Sequence, residues 1–228
     1  MNEIDIRGVI VPDNYRRYYD FFGIAATSPG MVKDVLRAAN GGAVEVIINS
    51  GGGDVTAGQE IYTALREYPG NVLIRIQSMA ASAAAVVAMA RESEMSPVAQ
   101  LMIHNVSSSA EGDYRDMEHA AEVLRSSNAA LSAAFVAKTG KTEAEILALM
   151  DHETWYTAQQ AVDAGFVDRI MAGNSQAPDK PLQLAASFGS GLLPMRAIEY
   201  AKAHFNESEA AAKAKAEYEF MNLEGKVK

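Results

Sequence analysis

Val44-Glu45-Val46-Ile47-Ile48-Asn49 runs straight into Ser50-Gly51-Gly52-Gly53-Asp54, and a helical pattern through Ala57, Ile61 and Leu65 follows at once. This junction constrains the fold more than any other stretch. A short β-branched run, apolar on both faces, suits a parallel strand covered by helices. A strand that empties through small residues into a helix is the carboxyl end of a βα unit. The pattern recurs. Val72–Ile76 leads through Ala80–Ala85 into a small-residue helix ending near Ala90. Leu101–His104 is a third short strand. Strands alternating with helices predict an α/β crossover fold, whose sites gather at the carboxyl edge of the sheet.

The flanking segments extend this reading. Ile4, Ile6, Val9 and Val11 give a strand pattern with Gly8 inside it, followed by an aromatic and basic cluster at Tyr15–Phe22. Ser28 and Pro29 suit the cap and first position of a helix carrying Met31, Val32, Val35, Leu36 and Ala39. Asp113–Thr139 reads as one long helix with apolar Met117, Ala121, Leu124, Leu131 and Phe135, closed by Gly140. Thr142 and Glu145 form a capping box for a helix to Met150. Thr157–Gly165 is a further helix, and Phe166–Met171 a last strand. The composition changes after Gly173. Pro178, Pro181 and Pro194, among several Gly and Ser, predict a linker over 173–194. Residues 195–228, rich in Ala, Lys and Glu, predict a solvated helical tail. Its apolar positions are so sparse that it needs a partner or a neighbouring subunit to pack.

Composition narrows the chemistry. The 228-residue chain has no cysteine, which excludes disulfides, cysteine-ligated zinc, iron–sulfur clusters and a thiol nucleophile. Its formal net charge of −9 makes nucleic acid a poor partner. The longest uncharged runs, Ile76–Ala90 and Pro181–Met195, hold 15 residues each, short of the ~20 that cross a bilayer. Met-Asn-Glu-Ile-Asp at the start has neither a basic nor an apolar signal region. The expectation is a cytoplasmic protein with no membrane or nucleic-acid partner, no cofactor and no metal.

Three features invite chemistry. The glycines at 51–53 offer backbone N–H groups to a phosphate or to an oxyanion, or simply make a tight turn. They lack the spacing of a dinucleotide fingerprint and the Lys-Ser/Thr of a P-loop. Ser82 sits between a strand and an Ala-rich helix, where a nucleophile gains free N–H groups and a plain cap serine would also be at home. His104 ends an apolar strand. Of the other histidines, His119 lies on a polar helix face, His204 in the tail, and His152 is the second choice as a base. A histidine beside a core also serves structure alone. Their order adds weight: glycine loop, serine after the next strand, histidine after the strand that follows, then the acids Asp151 and Glu153. Donors, nucleophile, base and base-orienter would come from successive carboxyl edges of one sheet.

At these motifs the chain resembles the Clp protease proteolytic subunit, ClpP. Asn49–Tyr62 is similar to its glycine-loop signature, Met79-Ala80-Ala81-Ser82-Ala83-Ala84 to its nucleophile motif, and Leu101–His104 to its histidine motif. Glu153–Ala158, Gln160–Val162 and Gly165–Asp168 resemble its acidic segment. The likeness runs from about residue 4 to 171. Gly-Gly-Asp after the loop, Ala-Ser-Ala-Ala, and Glu-Thr-Trp-Tyr-Thr-Ala are closer to the ClpP-like head maturation proteases of tailed phages and prophages.

The resemblance implies a ClpP/crotonase-like α/β spiral of βαβ units with a C-terminal extension, the protease domain covering 1–172. It implies a homo-oligomeric ring with Ser82 as nucleophile, His104 as base, and the Gly53 and Ala83 N–H groups as oxyanion donors. Capsid or scaffold proteins would be substrates, in the host cytoplasm or an assembling prohead. No motif assigns an ATPase partner. Where the family has an aspartate this chain has Glu153, with Asp151 as the alternative acid. Gly51 replaces the family's proline, and 174–228 have no counterpart in the core family. Two rivals remain: an inactive, structural relative, and a crotonase acting on acyl-CoA.

Overall fold

The computed structural model describes residues 2–172 and 192–204. Most of the expected linker and the tail from 205 to 228 lie outside the described residues. The elements run β1 (Asn2–Ile10), α1 (Asp13–Phe21), β2 (Ala26–Thr27), α2 (Pro29–Ala39), β3 (Val44–Gly53), α3 (Val55–Glu67), β4 (Val72–Ala81) and α4 (Ala83–Ala88). They continue with β5 (Glu92–Met95), β6 (Gln100–Ile103), α5 (Tyr114–Thr139), α6 (Glu143–Asp151), β7 (Thr154–Thr157), α7 (Ala158–Asp163), β8 (Arg169–Ile170) and α8 (Met195–His204).

The main sheet has the order β2-β1-β3-β4-β5-β8, and all of its pairs are parallel. β4 divides it. Leu73–Ile76 pairs with β5, whereas Met79–Ala81 pairs with β6. β7 closes this branch by pairing antiparallel with β6. Both longer strands run further than the β-branched residues suggest. β3 continues through the glycines because Ile10 pairs with Gly53, and β4 reaches Ala81 by pairing with Met102.

Ile4, Ile6, Val46, Ile48, Ile74 and Ile76 alternate along β1, β3 and β4 and are buried on one face. Ile61 and Leu65 of α3 and the whole of α4 belong to the same core. Small residues let α4 sit this deep. A Cβ on Gly58 of α3 would come within 2.9 Å of the Ala83 Cβ, so only glycine allows that approach. The other face departs from the expected apolar run. Asp5, Ile47, Arg75, Glu94 and Arg169 fall in register across five strands. Arg75 donates to Glu45 at 2.7 Å and to Glu94 at 2.6 Å, and Arg169 reaches Glu94 at 3.1 Å. These pairs also explain β5, which sequence patterning misses: Glu-Ser-Glu-Met has no apolar run, yet its Glu94 is neutralised from both sides.

The long helix expected over 113–139 forms as α5, and one expectation about the tail is corrected. Only the second half of α5 is core, through Leu131, Ala134 and Phe135; Tyr114, Met117 and Val123 are exposed. α8 finds its packing partner within the chain. Ile198 and Ala201 are buried with Tyr18 of α1, beside Tyr15, Phe21, Phe22 and Leu193. The Leu193 N–H donates to the Tyr19 hydroxyl at 2.7 Å. Three aromatics on this short helix and Phe22 just after it supply the area that the sparse apolar residues of α8 need.

Candidate active site

Ser82 follows β4 and occupies the cap position of α4, yet its side chain does not cap that helix. Its Oγ lies 2.8 Å from His104 Nε2 instead. The backbone explains this aim. Ser82 has φ 56° and ψ −124°, outside both the helical and the extended regions. A non-glycine residue held there stores about 1–3 kcal/mol of strain, which surrounding contacts must offset. Those contacts are visible. The Ser82 N–H donates to the Met102 carbonyl at 3.0 Å, and its carbonyl accepts from Ala85 and Val86. His104 arrives at the end of β6, whose pairing with β4 sets the two residues side by side.

The His104 imidazole is half-buried, and burial lowers its pKa below the ordinary value; the negative charge of Glu153 acts in the opposite direction. A neutral imidazole beside a serine hydroxyl is the form that accepts a proton. Glu153 has a left-handed backbone, φ 47°, just after α6. Its Oε1 accepts from Trp155 Nε1 at 3.3 Å. Asp151 is held differently, accepting from Asn105 Nδ2 at 2.7 Å. Among the described residues no hydrogen bond joins His104 to either acid. Glu153 is the one whose charge the imidazole senses. His152 is an exposed residue closing α6.

The glycine strand end forms the opposite wall. A Cβ on Gly52 would lie 2.7 Å from both the Ala81 carbonyl oxygen and the Ser82 Cβ, and 3.0 Å from the Ala83 nitrogen. With φ 98° this position demands glycine twice over. The Asp54 N–H donates to the Ile10 carbonyl at 2.8 Å. The β3–β4 pairing ends at Ser50↔Ala80, and the glycines lie beyond it. Ala83 opens α4, where the first N–H groups have no acceptor within the helix. Ala83 therefore offers a backbone donor next to Ser82, and Gly53 lies one residue beyond the glycine that packs against Ser82.

Sequence reasoning overlooks Ser50. It is buried, donates to the Gly8 carbonyl at 2.6 Å, and accepts the Gly52 N–H at 3.0 Å. A hydroxyl immediately before a glycine run is the available signal, because serine readily bonds backbone two residues on. Among the described residues no group of three or more His, Cys, Asp or Glu is placed to hold a metal ion. No described helix is long and apolar enough to cross a membrane.

The model of the Clp protease family matches residues 35–174. The chain is 34% identical over 131 residues to the ATP-dependent Clp protease proteolytic subunit 1 of Streptomyces avermitilis, covering 56% of this chain and 60% of that protein. It is 31% identical over 130 residues to subunit 1 of Leifsonia xyli, covering 56% and 66%. The matched stretch thus spans about three fifths to two thirds of these relatives. A solved mutant of ClpP1 from Listeria monocytogenes superposes with a TM-score of 0.62 at 20% identity, over 76% of this chain and 92% of that one. The chain therefore has a ClpP-like fold.

Proposed function

The chain belongs to the Clp protease family, and from that premise we propose that it is a serine endopeptidase working through an acyl-enzyme. The observation that carries this reading is the 2.8 Å approach of Ser82 Oγ to His104 Nε2, with Ser82 in a strained turn at the carboxyl edge of the sheet. Ser82 Oγ attacks the peptide carbonyl while His104 Nε2 takes its proton. The tetrahedral oxyanion is met by the Gly53 and Ala83 N–H groups. His104 then returns the proton to the leaving amine, and water, activated by the same imidazole, releases the acid. Glu153 acts as the third member by stabilising the imidazolium that forms. Preorganised donors of this kind are worth ~100- to 1000-fold each.

The finer reading is processing of capsid or scaffold proteins during phage or prophage head assembly. Its support is the set of motif variants around Ser82 and Glu153, together with the C-terminal helix docked on α1. A ring of identical subunits is the assembly proposed, and the exposed Tyr114, Met117 and Val123 of α5 are apolar residues it would cover.

Fluorophosphonate treatment followed by intact-mass measurement tests the chemistry. Wild type gains one adduct and Ser82→Ala gains none. An unlabelled wild type, both alone and with a capsid or scaffold precursor, would instead favour the inactive structural relative, a reading that the Trp155 bond to Glu153 already lends some substance. Cleavage of a co-expressed capsid precursor by wild type but not Ser82→Ala tests the substrate, and sedimentation velocity tests the ring.

A further inference from the structure

We infer that Ser50 is a positioning residue, whose hydroxyl ties the oxyanion strand end to a bulge in β1 and so sets where the Gly53 amide points. The inference rests on the peptidase reading above. Ser50 Oγ makes two bonds at once, donating to the Gly8 carbonyl at 2.6 Å and accepting from Gly52 N–H at 3.0 Å. Both partners are unusual. Gly8 has φ 67° and sits where the β1–β3 register slips between Arg7 and Val9. A Cβ there would lie 1.9 Å from the Ala25 carbonyl oxygen, so the bulge is pinned from outside as well. Gly52 has φ 98°, and a Cβ there would run into Ser82 and Ala83.

The β3–β4 ladder ends at Ser50. Beyond it, the Gly52 amide has left that ladder, and the Ser50 hydroxyl is the acceptor the structure gives it. A buried N–H without an acceptor is costly, so this bond selects one orientation of the Gly51–Gly52 peptide. The next peptide, Gly52–Gly53, carries the candidate oxyanion donor, and it is bracketed on its far side by the Asp54 N–H bond to the Ile10 carbonyl at 2.8 Å. Ser50 touches no reacting atom in this arrangement. It acts by fixing the direction of an amide one residue beyond its own partner.

The test measures the rate constant for fluorophosphonate labelling against pH, per folded molecule, for wild type, Ser50→Ala and Ser50→Thr. Hydrogen exchange of the Gly52 amide is followed in parallel. Ser50→Ala is expected to lower the high-pH plateau about 10- to 100-fold, as a misplaced donor does. The pH midpoint, set by His104, stays where it is. Ser50→Thr, which keeps the hydroxyl, recovers most of the rate. A plateau within about twofold of wild type, or a moved midpoint with an unchanged plateau, overturns the inference while leaving the peptidase reading intact. Wild type that never labels removes the reading itself. Should Ser50→Ala not fold, exchange decides: a Gly52 amide protected in wild type and Ser50→Thr supports the tether, and one exchanging as fast as an exposed amide overturns it.

Discussion

The Ser82 amide donates to the Met102 carbonyl at 3.0 Å, so the ladder between β4 and β6 runs up to the candidate nucleophile itself. His104 lies two residues beyond that carbonyl. The serine and its base are therefore held by one backbone pairing, and the spacing between them is as rigid as the sheet.

The strain at Ser82 gives a stability prediction separate from catalysis. Glycine adopts φ 56° without a Cβ clash, whereas alanine does not. Both Ser82→Ala and Ser82→Gly lose labelling. Ser82→Gly is expected to be more stable than Ser82→Ala by about 1–3 kcal/mol in urea unfolding. Equal stabilities would mean that the backbone is relaxed at this position.

Glu153→Gln is expected to shift the pH profile of labelling toward acid. The carboxylate raises the His104 pKa against the lowering effect of burial. Without that charge the imidazole loses its proton at lower pH, so the midpoint falls further below the ordinary value of 6.5. The plateau falls as well, because imidazolium in the transition state loses its counter-charge. Asp151→Asn is expected to leave the midpoint in place. The reverse pattern would assign the acid to Asp151.

Gly52→Ala is expected to abolish labelling and to cost about 3 kcal/mol or more, combining a positive φ with a buried clash. The new methyl meets the Ala81 carbonyl and the Ser82 Cβ at 2.7 Å, and neither is the free end of a flexible chain. Gly51→Ala is the control, since a Cβ at Gly51 has nothing within 4 Å. Its melting temperature and labelling rate are expected to stay close to wild type.

Asp168 predicts an acid-sensitive clasp far in sequence from the site. Burial alone would raise its pKa, but hydrogen bonds from Lys138 and from Ser93, with the lysine's charge, hold it below 3.8. A lowered carboxyl pKa stabilises the fold above pH 3.8, and that contribution is lost as pH falls through the lower native value. Asp168→Asn is therefore expected to melt earlier at neutral pH, and its deficit from wild type to shrink toward zero in strong acid. A deficit that stays constant with pH would make the interaction one of packing.

Much of the chain is determined locally. β-Branched runs that empty into glycine or alanine specify parallel βα units, because only helix-covered strands bury such runs and only small residues turn that tightly. Thr142 with Glu145 closes its capping box as the sequence predicts, since a cap needs nothing beyond four consecutive residues. The placement of Ser82 after one strand and His104 after a later one also follows from the chain, although β5 lies between those strands. Other features exist only in three dimensions. β5 depends on Arg75 and Arg169, which come from β4 and β8 to neutralise its glutamate. α8 gains a core only where α1 supplies aromatics from the far end of the chain. The strained φ of Ser82 and the close approach of Gly52 to it depend on β3 and β4 lying side by side, and the two hydrogen bonds of Ser50 depend on β1 lying beside β3. Local pattern fixes what a segment can become, because propensity and capping act within a turn or two. Tertiary structure decided where a hydroxyl or an amide points, because its partners are tens of residues away and only packing brings them together.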